Sequence, residues 1–102
     1  MLAENLAKRI AGTDAPLVVD VRSLAEYRAG HIPGAVHVPF WGALFKPGGL
    51  PEDKDTEIVL ACEHGPRAQL AAAQLNLLGY RRLELLDGHM AQWRRRNLPL
   101  EA

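Results

Sequence analysis

Two short runs of mostly apolar residues, Leu17-Val18-Val19-Asp20-Val21 and Glu57-Ile58-Val59-Leu60-Ala61, constrain this chain more than any other feature. A strand turns successive side chains to opposite faces, so apolar residues at consecutive positions require cover on both sides. Helices packed above and below a parallel sheet meet that requirement, and both runs have the length of strands rather than helices. The segments around them carry helical signals. Leu2, Leu6 and Ile10 recur at four-residue steps over 2–10, with Gly12 as a stop. Ser23-Leu24-Ala25-Glu26 has the form of a capping box and predicts a helix ending at Gly30. A further helix is predicted from Arg67 to Leu78, stopped by Gly79, with Leu70, Ala73, Leu75, Leu77 and Leu78 as its apolar face. Another runs from Gly88 to about Arg96, before Pro99. Shorter strands are read from Ala35 to Val38 and from Leu83 to Leu86. The stretch from Trp41 to Asp55, broken by Pro47, Gly48, Gly49 and Pro51, reads as loose, with one short helix around Trp41–Phe45.

Strands alternating with helices imply a three-layer α/β architecture on a mostly parallel sheet. A chain of 102 residues, 48% apolar, suits one domain over 1–102. Its 12 basic and 12 acidic residues cancel, so no global field steers it to nucleic acid or to a membrane. The cluster Arg94-Arg95-Arg96 is read as a solvated basic end. No apolar run of about 20 residues is present, and the mixed segment from Met1 to Ala11 lacks a secretory pattern. A single cysteine has no internal disulfide partner, which fits a reducing compartment, and a cytoplasmic location is expected. His31, His37, His64 and His89 are scattered without ligand spacing, so neither a metal nor an organic cofactor is expected.

In open parallel sheets, ligands gather outside the carboxyl ends of the strands, and Cys62 follows directly on the second apolar run. On that ground alone a cysteine reads as a core residue rather than a reactive one. The next residues, Glu63-His64-Gly65-Pro66-Arg67, shift the reading toward chemistry. A tight loop feeding a helix aims backbone N–H groups at one point, and such a nest favours a thiolate. Gly65 permits the sharp path, Pro66 stiffens it, and Arg67 is positioned to bond loop carbonyls or to hold an incoming anion in a fork. His64 is read either as a general base or as an exposed loop residue. With no second cysteine, any sulfur loaded on Cys62 has to leave to an external acceptor.

Three blocks of this sequence resemble the rhodanese-like domains. Val19-Asp20-Val21-Arg22 with Glu26-Tyr27 and Gly30-His31-Ile32-Pro33-Gly34-Ala35 is similar to that family's N-terminal signature. Cys62 to Arg67 resembles its active-site loop, and Gly79-Tyr80 with Leu86-Asp87-Gly88-His89-Met90, Trp93 and Pro99 its C-terminal signature. The resemblance implies a five-stranded parallel sheet flanked by helices and a sulfurtransferase of the thiosulfate type. Cys62 is the implied nucleophile. Residues Glu63, His64, Gly65, Pro66 and Arg67 are the implied binding loop. The implied donor is thiosulfate or a persulfide, and the implied acceptor is cyanide or a thiol, a protein acceptor included. Asp20 and Arg22 are read as a polar pair that fixes neighbouring loops, Tyr27 and Trp93 as packing, and His31 as a local hydrogen-bonding residue. Related phosphatases and arsenate reductases carry a longer loop, so that activity is the weaker alternative; a docking module is the other. Two departures stand out. His89 occupies a position where many members have glycine, narrowing the pocket or adding a donor, or else pointing to solvent. Glu63 places a negative charge in the loop and is expected to weaken binding of a doubly charged donor. Trp41 is read either at the pocket mouth or in the core.

Overall fold

The computed structural model describes residues 1–40 and 50–102. The short helix expected around Trp41–Phe45 and the two readings of Trp41 lie outside the described residues. Four helices and four strands alternate as α1 (Ala3–Ala11), β1 (Leu17–Asp20), α2 (Leu24–Ala29), β2 (Val36–His37), β3 (Ile58–Ala61), α3 (Pro66–Leu77), β4 (Leu83–Leu85) and α4 (His89–Arg95). The strands form one sheet in the order β2-β1-β3-β4, and every pairing is parallel. The two apolar runs are therefore the central pair, in register from Leu17 opposite Ile58 to Asp20 opposite Ala61.

Their pleat divides the core in two. Val19, Val21, Ile58, Leu60 and Cys62 point to one face, where Ala68, Ala71 and Leu75 of α3 cover them. Val18, Val59 and Ala61 point to the other, against Leu6 of α1 and Met90 and Trp93 of α4. This is the three-layer arrangement. Among the described residues the sheet has four strands, against the five that the resemblance implies. The returning chain near the C-terminus makes only a single antiparallel bridge, between His31 and Glu101. Pro99, just upstream, has no N–H to extend that pairing.

The apolar face expected for α3 is corrected. Of the residues named for it, Leu75 is fully buried and Leu78 partly, whereas Leu70 is 55% and Leu77 81% exposed. The helix buries Ala68, Ala71 and Leu75 instead, a stripe at helical spacing. Small side chains let the helix axis approach β3 closely, and that approach brings the first turn of α3 over Cys62.

Candidate active site at the end of the central strands

The loops after β1 and β3 leave the sheet on the same side, since the strands are parallel. In the first, Asp20 accepts two hydrogen bonds from the Arg22 Nε at 2.9 and 3.1 Å and one from Nη2 at 2.8 Å. It also accepts the Arg22 backbone N–H at 3.0 Å. Both side chains are almost fully buried. Arg22 Nη2 also donates to the Gly30 carbonyl at 2.8 Å, fixing the end of α2. Ser23 then caps α2: its Oγ accepts the Glu26 N–H at 3.2 Å while the Glu26 carboxylate accepts the Ser23 N–H at 3.0 Å. The capping box read from the sequence is thus formed. Tyr27 donates to the Ala35 carbonyl at 2.6 Å and stacks on His31, whose Nδ1 bonds the Tyr27 carbonyl at 2.8 Å.

The second loop has the opposite construction. α3 begins at Pro66 behind Gly65, and no side chain of the N-cap residue satisfies its first N–H groups. Those groups face sulfur. The Gly65 N–H donates to Cys62 Sγ at 2.9 Å, and the Ala68 N–H also bonds the thiol. Cys62 is fully buried and unpaired to any other cysteine. Burial pushes its pKa up, but the hydrogen bond with the His89 side chain and those from the Ala68 and Gly65 N–H groups outweigh burial and lower it from 9.0 to about 7. A large share of the thiol is therefore thiolate at neutral pH. Gly65 is needed here for two reasons. Its φ of +129° belongs to the region that favours glycine, and an added Cβ would stand 3.3 Å from His89 Nε2.

A model of the rhodanese-like domain matches residues 2–96. The chain belongs to the rhodanese-like domain family. It is 36% identical over 100 residues to a sulfurtransferase of Allochromatium vinosum, covering 98% of this chain and 92% of that protein. It is 38% identical over 78 residues to the thiosulfate sulfurtransferase GlpE of Pseudomonas fluorescens, covering 76% and 70%. Among solved structures, the Alr3790 protein of Anabaena superposes with a TM-score of 0.90 at 25% identity, covering all of this chain and 82% of that one.

Within this rhodanese-like domain the loop residues take distinct positions. His64 is exposed and makes no hydrogen bond to the described residues. Arg67 forks its guanidinium onto the Glu26 carboxylate at 2.6 and 3.0 Å, a partner that the sequence did not suggest. Arg67 thereby holds the Glu26 carboxyl down at about 2, with burial opposing and the Ser23 bonds assisting. Glu26 is committed at once to the α2 cap and to the α3 entrance, and it ties the two loops together. Glu63 is not the bare charge that the sequence suggests. Arg94 donates to its carboxylate, and Arg22 Nη1 approaches it at 3.6 Å. Arg94 and Arg96 are likewise paired, the latter with Glu4, so the basic end of α4 is only partly free. A cleft lined by Arg22, Glu26, Gly30, Glu63, Arg94 and Leu100 lies beside this network.

His89, read from the sequence either as part of the pocket or as pointing to solvent, lies beside Cys62. It is buried, with 6% exposure, and its Nδ1 accepts the Cys62 backbone N–H at 3.2 Å. The signal available in the sequence was the substitution of a histidine at a glycine position of the family signature. Its partner lies 27 residues away in the chain, so only the fold reveals the contact. Among the described residues no cluster of His, Cys, Asp and Glu has the geometry to hold a metal ion. No helix among them is long and apolar enough to cross a membrane.

Proposed function

We propose that this domain transfers sulfane sulfur through a persulfide on Cys62. The observation that carries the reading is the buried thiol held by the Gly65 N–H at 2.9 Å at the mouth of an otherwise uncapped helix. The Cys62 thiolate attacks the outer sulfur of thiosulfate or of a persulfide. The donor's S–S bond breaks, and sulfite, or the donor thiolate, leaves with the electron pair. The new S–S bond leaves Cys62 as a persulfide whose terminal sulfur is anionic. Cyanide or a thiolate then attacks that sulfur, and the Cys62 thiolate departs unchanged. The cycle is nucleophilic catalysis divided into two displacements. The N–H groups of the loop and of the first turn of α3, Gly65 and Ala68 among them, serve as fixed donors toward the anionic sulfur in both, a form of stabilisation that costs no reorganisation. The paired state of Glu63 supports an anionic donor, and the kinship to proteins named sulfurtransferases supports the reaction class.

Intact-protein mass spectrometry tests this directly. Incubation with thiosulfate is expected to add the mass of one sulfur atom at Cys62, and cyanide is expected to remove it. A folded protein with a free thiol that gains no mass from thiosulfate or from a persulfide donor would sink the proposal. Retained partner binding without sulfur loading would then favour a docking role.

A further inference from the structure

His89 carries more than the family signature assigns to its position, and the reading below rests on the proposed sulfur transfer at Cys62. Three observations converge on it. The first is the bond from the Cys62 N–H to His89 Nδ1 at 3.2 Å. A nitrogen that accepts a backbone N–H carries no proton, so the proton of the neutral ring stands on Nε2. The second is the ring's placement. Its Nε2 and Cδ2 edge leans on Gly65, at 3.3 and 3.4 Å from where a Cβ would stand. Gly65 is also the residue whose N–H bonds the sulfur, so that edge packs beside a donor to the thiol. The third is backbone conformation. His89 adopts φ +50°, a left-handed value uncommon outside glycine. A glycine would fit there without strain, yet an imidazole is held, buried, against the nucleophile.

We propose that His89 is a side-chain member of the sulfur pocket: the Cys62 N–H fixes its tautomer through Nδ1, and the Nε2–H so oriented is a donor to the sulfur carried on Cys62. A pocket of this kind has backbone donors from one side and one polarisable side-chain donor from the other. The role is that of a fixed hydrogen-bond donor and of a wall, with no proton transfer in either displacement.

Two variants separate the parts of this claim. His89→Gly removes the ring and suits the positive φ, so folding is expected to be retained. His89→Asn also tolerates that backbone and keeps an oxygen near the Nδ1 position to accept the Cys62 N–H, but it has no donor at Nε2. The readout is the rate of Cys62 alkylation by iodoacetamide from about pH 5 to pH 10, which reports the thiolate fraction and needs no sulfur donor. The wild-type midpoint is expected at about 7. Both variants are expected to raise it by about one unit, leaving roughly tenfold less thiolate at pH 6. An unmoved midpoint in both would overturn the proposal. A shift in His89→Gly with none in His89→Asn would assign the effect to the backbone bond and overturn the donor role. Nitrogen-15 shifts of the wild-type ring give an independent check, and a proton found on Nδ1 would also overturn it. Because alkylation does not depend on sulfur loading, failure here is distinguishable from failure of the transferase reading.

Discussion

The loops after β1 and β3 begin alike and end as opposites. Each leaves a buried central strand on the same side of the sheet, turns within a few residues and enters a helix. After β1, the polar groups find side-chain partners: Asp20 with Arg22, and the Glu26 N–H in the first turn of α2 with Ser23. After β3, the corresponding donors of α3 have no side-chain oxygen from the N-cap and are directed instead at an ionisable sulfur. The same orphan N–H groups therefore do two jobs. Satisfied by a serine, they make a joint. Offered to a thiol, they favour its thiolate.

That contrast predicts where each loop breaks. Asp20→Ala leaves the Arg22 guanidinium buried at 3% exposure without its carboxylate. The expected loss is about 3–5 kcal/mol of stability in denaturant unfolding. The alkylation midpoint of Cys62 is expected to stay in place in the folded fraction. A loss below about 1 kcal/mol would mean that the pair is not a structural joint.

The second loop is expected to respond to pH instead. Cys62 titrates at about 7 when folded, against 9.0 for the free group. Between these values the unfolded chain binds more protons, so stability rises with pH. The contribution is fully present above about pH 9 and is lost as pH falls through 7; its size is roughly 2–3 kcal/mol. Urea midpoints of the protein and of Cys62→Ser, compared across that window, are expected to diverge as pH rises. Parallel curves would show that the nest does not favour the thiolate.

The smallest effect belongs to the cap of α2. Ser23→Ala is expected to cost about 1 kcal/mol, seen as a modest drop in Tm, with sulfur transfer unchanged. A transfer defect larger than the stability defect would show that the β1 loop positions the chemistry as well as the fold.

Much of this was legible in the residues. Consecutive apolar positions in Leu17–Val21 and Ile58–Ala61 announced strands covered on both faces, and the Ser23–Glu26 spacing announced its own cap. Cys62 at a strand end before Gly65 and Pro66 announced a candidate nucleophile. The face of α3 was misread because helical periodicity alone does not distinguish a leucine stripe from an alanine stripe. The tight fit against β3 selects the smaller one, and Leu70 and Leu77 remain outside.

The site's electrostatics belong to the tertiary structure. Glu26 with Arg67 are 41 positions apart, Glu63 with Arg94 are 31, and Cys62 with His89 are 27. What the sequence by itself determined was local: which segments become strands, where helices start, and which atom is the ionisable sulfur. Such properties depend on neighbours within one turn or one pleat. What only the tertiary structure decided was the charge state of that atom and of the residues around it. Hydrogen bonds and ion pairs act over a few ångströms of space, and the fold alone brings distant residues to that distance.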